Sequence, residues 1–123
     1  MSTKEQTELL VLVAGPYRGG TGDDPAKLAA NVTAMNTAAL DVFRAGHLPV
    51  TGEALALPLI ELAGSRHVGD APFQDIFHPI SRRLLAHCDA VLRVGGASAG
   101  ADEMVAIARD QGKLVVGEVA QLP

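Results

Sequence analysis

The feature that most constrains this chain is an uninterrupted aliphatic run, Leu9-Leu10-Val11-Leu12-Val13-Ala14, halted by Gly15-Pro16. A strand with one wetted face alternates apolar and polar residues. A continuous run of this kind therefore reads as a central strand covered on both faces, as in parallel sheets flanked by helices. Composition fits that core. Hydrophobic residues make up 48% of the chain, Trp is absent and aromatics are few, so the interior must be built from Val, Leu, Ala and Ile.

The rest of the chain supplies the cover. A polar, glycine-rich stretch runs to Asp24, and Asp24-Pro25 reads as a helix start, a capping carboxylate followed by proline in the first turn. Leu28, Val32, Met35, Ala39 and Val42 recur at steps of three and four, and Gly46 closes this helix. His47-Leu48-Pro49-Val50 reads as a short strand in which Pro49 lacks a ladder donor. Residues 53–63 read as a short helix interrupted near Pro58, and 64–72 as an exposed loop. Ile80, Leu84, Leu85 and Cys88 mark a further helix with Pro79 near its start. Ala90 to Val94 is a strand ending at Gly95-Gly96. Ser98 caps a helix running to Gln111, closed by Gly112, and Leu114-Val115-Val116 is the last strand.

Strands alternating with helices imply parallel pairing and right-handed crossovers. The expected fold is α/β, a three-layer flavodoxin-like or Rossmann-like sandwich with a mainly parallel sheet. A length of 123 residues leaves no room for two cores. The expected organisation is thus a polar tail over 1–8 and one domain over 9–123.

A net charge of −4 argues against nucleic acid or an anionic membrane as partner, because no strong basic field gathers phosphates. Cys88 is the single cysteine, which excludes an intrachain disulfide; in its apolar pattern it reads as a small buried hydrophobe. The polar start MSTKEQTE is not a signal peptide, and no apolar run approaches the ~20 residues needed to span a bilayer. The expected location is the cytoplasm. His47, His67, His78 and His87 show no ligand spacing, so no metal or cofactor is expected.

Ligands of such sheets bind beyond the carboxyl ends of the strands, where strand order switches. Two loops leave strand ends there: Gly15-Pro16-Tyr17-Arg18-Gly19-Gly20 and its continuation, and Gly95-Gly96-Ala97-Ser98-Ala99-Gly100. Glycines let backbone N–H groups approach a ligand, and a following helix N-terminus favours an anion. Arg18 adds a forked cation and Ser98 a hydroxyl. The plain alternative is turn chemistry with an N-cap at Ser98. Neither the dinucleotide pattern nor a Walker loop is present. The string Gly-x-Ser-x-Gly at Gly96 to Gly100 imitates a nucleophile elbow but has no base partner.

With these residues in view, the chain resembles the nucleoside 2-deoxyribosyltransferase-like superfamily. That group includes the deoxynucleoside 5′-monophosphate N-glycosidases and small bacterial and phage relatives. The resemblance spans roughly Leu9 to Val116. It rests on Val11 to Gly20, on Cys88-Asp89-Ala90-Val91-Leu92, and on Ser98-x-Gly100-Ala101 followed by a helix ending at Gly112-Lys113.

The resemblance implies a pocket for a nucleoside and its 5′-phosphate and nominates Tyr17, Arg18, Gly19, Ser98 and Gly100 for it; Gly15, Pro16, Gly20, Gly96 and Glu53 complete the candidate binding residues. It also implies a glutamate nucleophile on the helix after Ser-x-Gly, and a second acid ahead of the Cys-Asp step. Here the first position falls on Met104, beside Asp102 and Glu103, and the second on Ser81. One residue along a helix turns a side chain by about 100°, so Glu103 takes the nucleophile's place only with a change of register. Glu53 and Asp75 are the other acids able to substitute. The ordinary account is helix-dipole acids at Asp102 and Glu103, and solvated acids at Glu53 and Asp75.

The leading expectation is therefore cleavage of an N-glycosidic bond in a nucleoside or nucleoside 5′-monophosphate, by hydrolysis or base exchange. Glu103 would be nucleophile or charge stabiliser with Asp102 beside it, Tyr17 a sugar or carboxylate positioner, and Arg18 and Ser98 anion clamps. The alternative is a nucleotide-binding protein that has lost the family's acids. A third reading, kinship with cytokinin-activating phosphoribohydrolases, lacks their Pro-Gly-Gly-x-Gly-Thr string. The resemblance also implies a homodimer, and the apolar stretch Ala54 to Leu62 is the candidate interface.

Overall fold

The computed structural model describes residues 8–123, so all of the expected polar tail except Glu8 lies outside the described residues. The elements are β1 (Leu10–Ala14), α1 (Pro25–Arg44), β2 (Leu48–Thr51), α2 (Gly52–Leu62), α3 (Ala71–His87), β3 (Ala90–Arg93), α4 (Ala99–Asp110) and β4 (Leu114–Val116), followed by a 3₁₀ turn at Val119–Gln121. The four strands form one all-parallel sheet in the order β2-β1-β3-β4. This is the expected three-layer, flavodoxin-like sandwich.

The aliphatic run is the central strand because both its faces are covered. Val11 and Val13 pack with Met35 and Val42 of α1, and with Ala90, Leu92 and Val116. Leu12 and Ala14 point the other way, to Leu85 and Cys88 at the end of α3 and to Ala101, Met104 and Ala108 of α4. Strand alternation thus assigns α1 to one face and α3 with α4 to the other. Pro49 is tolerated because β2 is an edge. Leu48 N–H donates to Leu9 C=O at 2.9 Å, so Pro49, one residue on, turns its missing donor away from β1.

Local signals explain the helix ends. Asp24 caps α1 by accepting from Lys27 N–H at 3.1 Å, with Pro25 in the first turn. Gly46, Gly64 and Gly112 each follow a helix with positive φ, of 97°, 90° and 73°. The next residue donates back to the carbonyl five positions earlier: His47 to Val42, Ser65 to Ile60 and Lys113 to Ala108.

The middle of the chain differs from expectation. Residues 64–70 form the loop, but α3 begins at Ala71, capped by Asp70 and carrying Pro72 in its first turn. Pro79 lies inside this helix, not at its start, and Pro58 lies inside a continuous α2. Cys88 is the C-cap of α3 and is buried. Desolvation pushes its thiol up to about 11, and Sγ donates to Leu84 C=O at 3.3 Å, which makes it an unreactive packing residue.

Candidate functional site

From β1 the chain crosses to β2 on one side, and β3 lies on the other side of β1. The switch point is therefore between β1 and β3, and the loops leaving these two strands flank it. A cavity of about 440 Å³ opens there, a size suited to a small organic ligand. Four segments wall it: the β1–α1 loop, the start of α2, one face of α3 and the β3–α4 loop.

The two loops touch. A Cβ on Gly19 would lie 2.8 Å from Ala97 C=O, and one on Gly15 would lie 2.8 Å from Val94 C=O and inside the Met35 side chain. Gly95, at φ 76°, packs on the Pro16 ring. Of the candidate binding residues, Gly15, Tyr17, Arg18, Gly19, Gly20, Ser98 and Gly100 line the cavity, whereas Pro16, packed against Gly95, and the exposed Gly96 do not. The first loop is tied internally. The buried Thr21 hydroxyl donates to Arg18 C=O at 2.6 Å and accepts from Asp23 N–H at 3.0 Å, and Asn31 Nδ2 donates to Tyr17 C=O at 2.7 Å.

Tyr17 joins an aromatic wall with Phe73 and Phe77 of α3. Its ring is 6.2 Å from Phe73 at 16° and 5.4 Å from Phe77 at 31°, while Phe73 and Phe77 stack at 4.8 Å. Burial, then the negative charges of Glu53 and Asp23, push the Tyr17 phenol up, so it remains a proton-bearing donor. His78 is edge-on to Phe77 and lies over Gly100, where a Cβ would come within 2.8 Å of the imidazole.

At the second loop, the Ser98 hydroxyl oxygen accepts from Ala101 N–H at 3.1 Å and caps α4. Its own proton is left to donate, beside the first peptide N–H groups of the helix. Arg93 fixes this loop by donating to Val94 C=O and, at 2.8 Å, to Gly96 C=O. The geometry suits an anion beside an aromatic surface.

Glu53 is the one carboxylate among the described residues that line the cavity. It is only 8% exposed, and no donor among the described residues reaches Oε2. Desolvation pushes its carboxyl up to about 7, opposed in part by its own backbone N–H. Acids in such surroundings act as proton donors near neutral pH.

The other expected acids are not brought to the cavity. Glu103 accepts from Arg82 Nε of α3 at 3.0 Å and Asp102 from Arg93 Nε of β3 at 3.1 Å; both carboxylates are spent in ion pairs outside the cavity. Asp75 is exposed on α3. The helix turn explains this. Met104 is the residue of its stretch that faces inward, 3% exposed and lining the cavity, so its neighbour Glu103 is turned aside. Ser81 also lines the cavity, its hydroxyl packed where a Cβ on Gly52 would be.

Sequence reasoning missed the α3 contribution of Phe73, Gln74, Phe77 and His78. The signal was Asp70-Ala71-Pro72 ahead of Phe73, Phe77 and Ile80 at helical spacing. No protein-family model matches the chain, and no curated protein matches it. Among the described residues, no three His, Cys, Asp or Glu side chains gather as metal ligands, and no helix is long and apolar enough to cross a membrane.

Proposed function

We propose that this chain binds a nucleoside or nucleoside 5′-monophosphate in the cavity and hydrolyses its N-glycosidic bond, with Glu53 as the acid. The observation that carries the reading is the buried carboxyl of Glu53, whose Oε2 meets no donor among the described residues, in the wall of a cavity that also presents aromatic rings and an anion-favouring loop. The base lies against Tyr17, Phe73 and Phe77. The sugar lies near the Tyr17 hydroxyl, and the 5′ group faces Arg18, Ser98 and the α4 N-terminus.

Glu53 gives its proton to a ring nitrogen of the base as the C1′–N bond breaks, and the bonding pair leaves with the base. Water adds to the oxocarbenium-like carbon and returns a proton to the Glu53 carboxylate, so the acid is regenerated. Glu103 and Asp102 are surface ion-pair residues in this reading. Base release from deoxynucleoside 5′-monophosphates, followed chromatographically, should fall by about 100-fold in Glu53→Gln while nucleotide binding persists. The rate should decline above about pH 7, where Glu53 loses its proton. Unchanged turnover in Glu53→Gln would remove Glu53 from the chemistry.

A second reading, binding without turnover, is favoured by Met104 and Ser81, which hold cavity positions where the family resemblance calls for acids. Thermal stabilisation by nucleotides with no base release selects it.

A further inference from the structure

Arg18 lines the cavity, yet its guanidinium is already engaged. Nε donates to Asp23 Oδ1 at 3.0 Å and Nη2 to Asp23 Oδ2 at 2.9 Å, the forked geometry with which arginine holds a carboxylate or a phosphate. The guanidinium carbon stands 5.7 Å from the centre of the Phe73 ring. On the α2–α3 loop, Gly69 leaves room for it, since a Cβ there would lie 2.8 Å from Nη2. Asp23 does not line the cavity. It is also the one non-glycine among the described residues with positive φ, at 60°, in a loop closed by Thr21. A backbone conformation costly for most residues thus places a carboxylate on the cavity's arginine.

We infer that Asp23 is a built-in competitor for the anionic group of the ligand, and that it sets how strongly the site distinguishes a 5′-monophosphate from the bare nucleoside. The assignment of the anion to a 5′-phosphate rests on the function proposed above; the competition for Arg18 does not. Only a dianionic, multi-oxygen group such as phosphate offers Arg18 more than the carboxylate it gives up. A neutral sugar hydroxyl leaves the pair intact. Both partners are 41% exposed, so the pair is weak enough to be exchanged.

The test is calorimetric titration of the whole chain with inorganic phosphate, with the four deoxynucleoside 5′-monophosphates and with the corresponding nucleosides. Asp23→Asn suits it because Asn tolerates positive φ, and Asp23→Gly is the second variant if Asn disturbs the loop. Phosphate and monophosphates should bind about fivefold more tightly in Asp23→Asn, with nucleoside affinity unchanged. In an Arg18→Gln background the same substitution should have no effect, because the competition acts through the guanidinium.

Two results overturn the inference. One is unchanged or weaker phosphate binding in both Asp23 variants, which makes Asp23 a support for Arg18. The other is an equal gain in the Arg18→Gln background, which reduces the effect to bulk charge. Tighter phosphate binding with no nucleotide binding keeps the competition and rejects the nucleotide reading. Nucleotide binding that is indifferent to Asp23 does the reverse.

Discussion

Glu53 is the residue on which the proposed chemistry turns, and its burial has a consequence for stability as well. In the unfolded chain its carboxyl titrates near the ordinary 4.5, whereas in the fold it titrates at about 7. Below 4.5 both states hold the proton and burial of this group makes no pH-dependent difference. As pH rises from 4.5 to 7 the unfolded chain sheds a proton that the folded chain retains, so unfolding becomes progressively easier. Above 7 both states are ionised and the penalty levels off at about 3 kcal/mol. Glu53→Gln removes it. The variant should therefore gain stability over the parent as pH rises from 5 to 8, read from urea unfolding at each pH. A parent–variant difference that stays flat across this interval would show that the carboxyl is solvated.

At the scale of elements, legibility followed locality. The Asp24-Pro25 start, the Gly46 and Gly112 ends and the Ser98 cap are each decided within a few residues, and each stands where the sequence put it. The start of α3 was missed because Gly64, Gly69 and Pro72 read as loop residues. Only Asp70, accepting from Arg66, His67 and Phe73 N–H and from the Ser65 hydroxyl, shows that the last of these is a helix start. Those bonds, led by that from Arg66, hold its carboxyl down at about 2. The acids were harder still. Counting along α4 fell on Met104 and left Glu103 as a neighbour that needed a change of register; the core took Met104, so Glu103 stays turned aside.

The β3–α4 junction offers a test that separates capping from binding. Ser98→Ala should cost about 1 kcal/mol of stability and also weaken nucleotide binding, since both the cap and the donated proton are lost. Ser98→Asp keeps a capping acceptor but sets a negative charge at the anion end of the cavity. Its thermal midpoint should match the parent while monophosphate affinity falls by about tenfold or more. If Ser98→Asp binds monophosphates as the parent does, the phosphate does not lie at this helix end.

On the scale of the whole molecule, α2 has two roles set by its two faces. Its inner face buries Ala56 and Ile60, and Glu53 of the first turn meets the cavity. Its outer face presents Leu55, Leu59 and Leu62 at spacings of four and three, 49%, 45% and 84% exposed. We propose that this stripe pairs two copies about a two-fold axis, since a helix can lay such a stripe against its own copy. Each half-exposed leucine covered in this way contributes about 1 kcal/mol. Part of that sum goes to the lost freedom of two molecules, so the dimer should be weak and should dissociate on dilution. Sedimentation equilibrium of the parent should show a concentration-dependent monomer–dimer mixture, and Leu59→Glu, which places two like charges across the axis, should be monomeric throughout. Because Leu59 faces away from the cavity, that variant should still bind nucleotide. A parent that stays monomeric up to millimolar concentration, or a Leu59→Glu variant that dimerises as well as the parent, would reject α2 as the interface and leave the proposed cavity chemistry a property of the single chain.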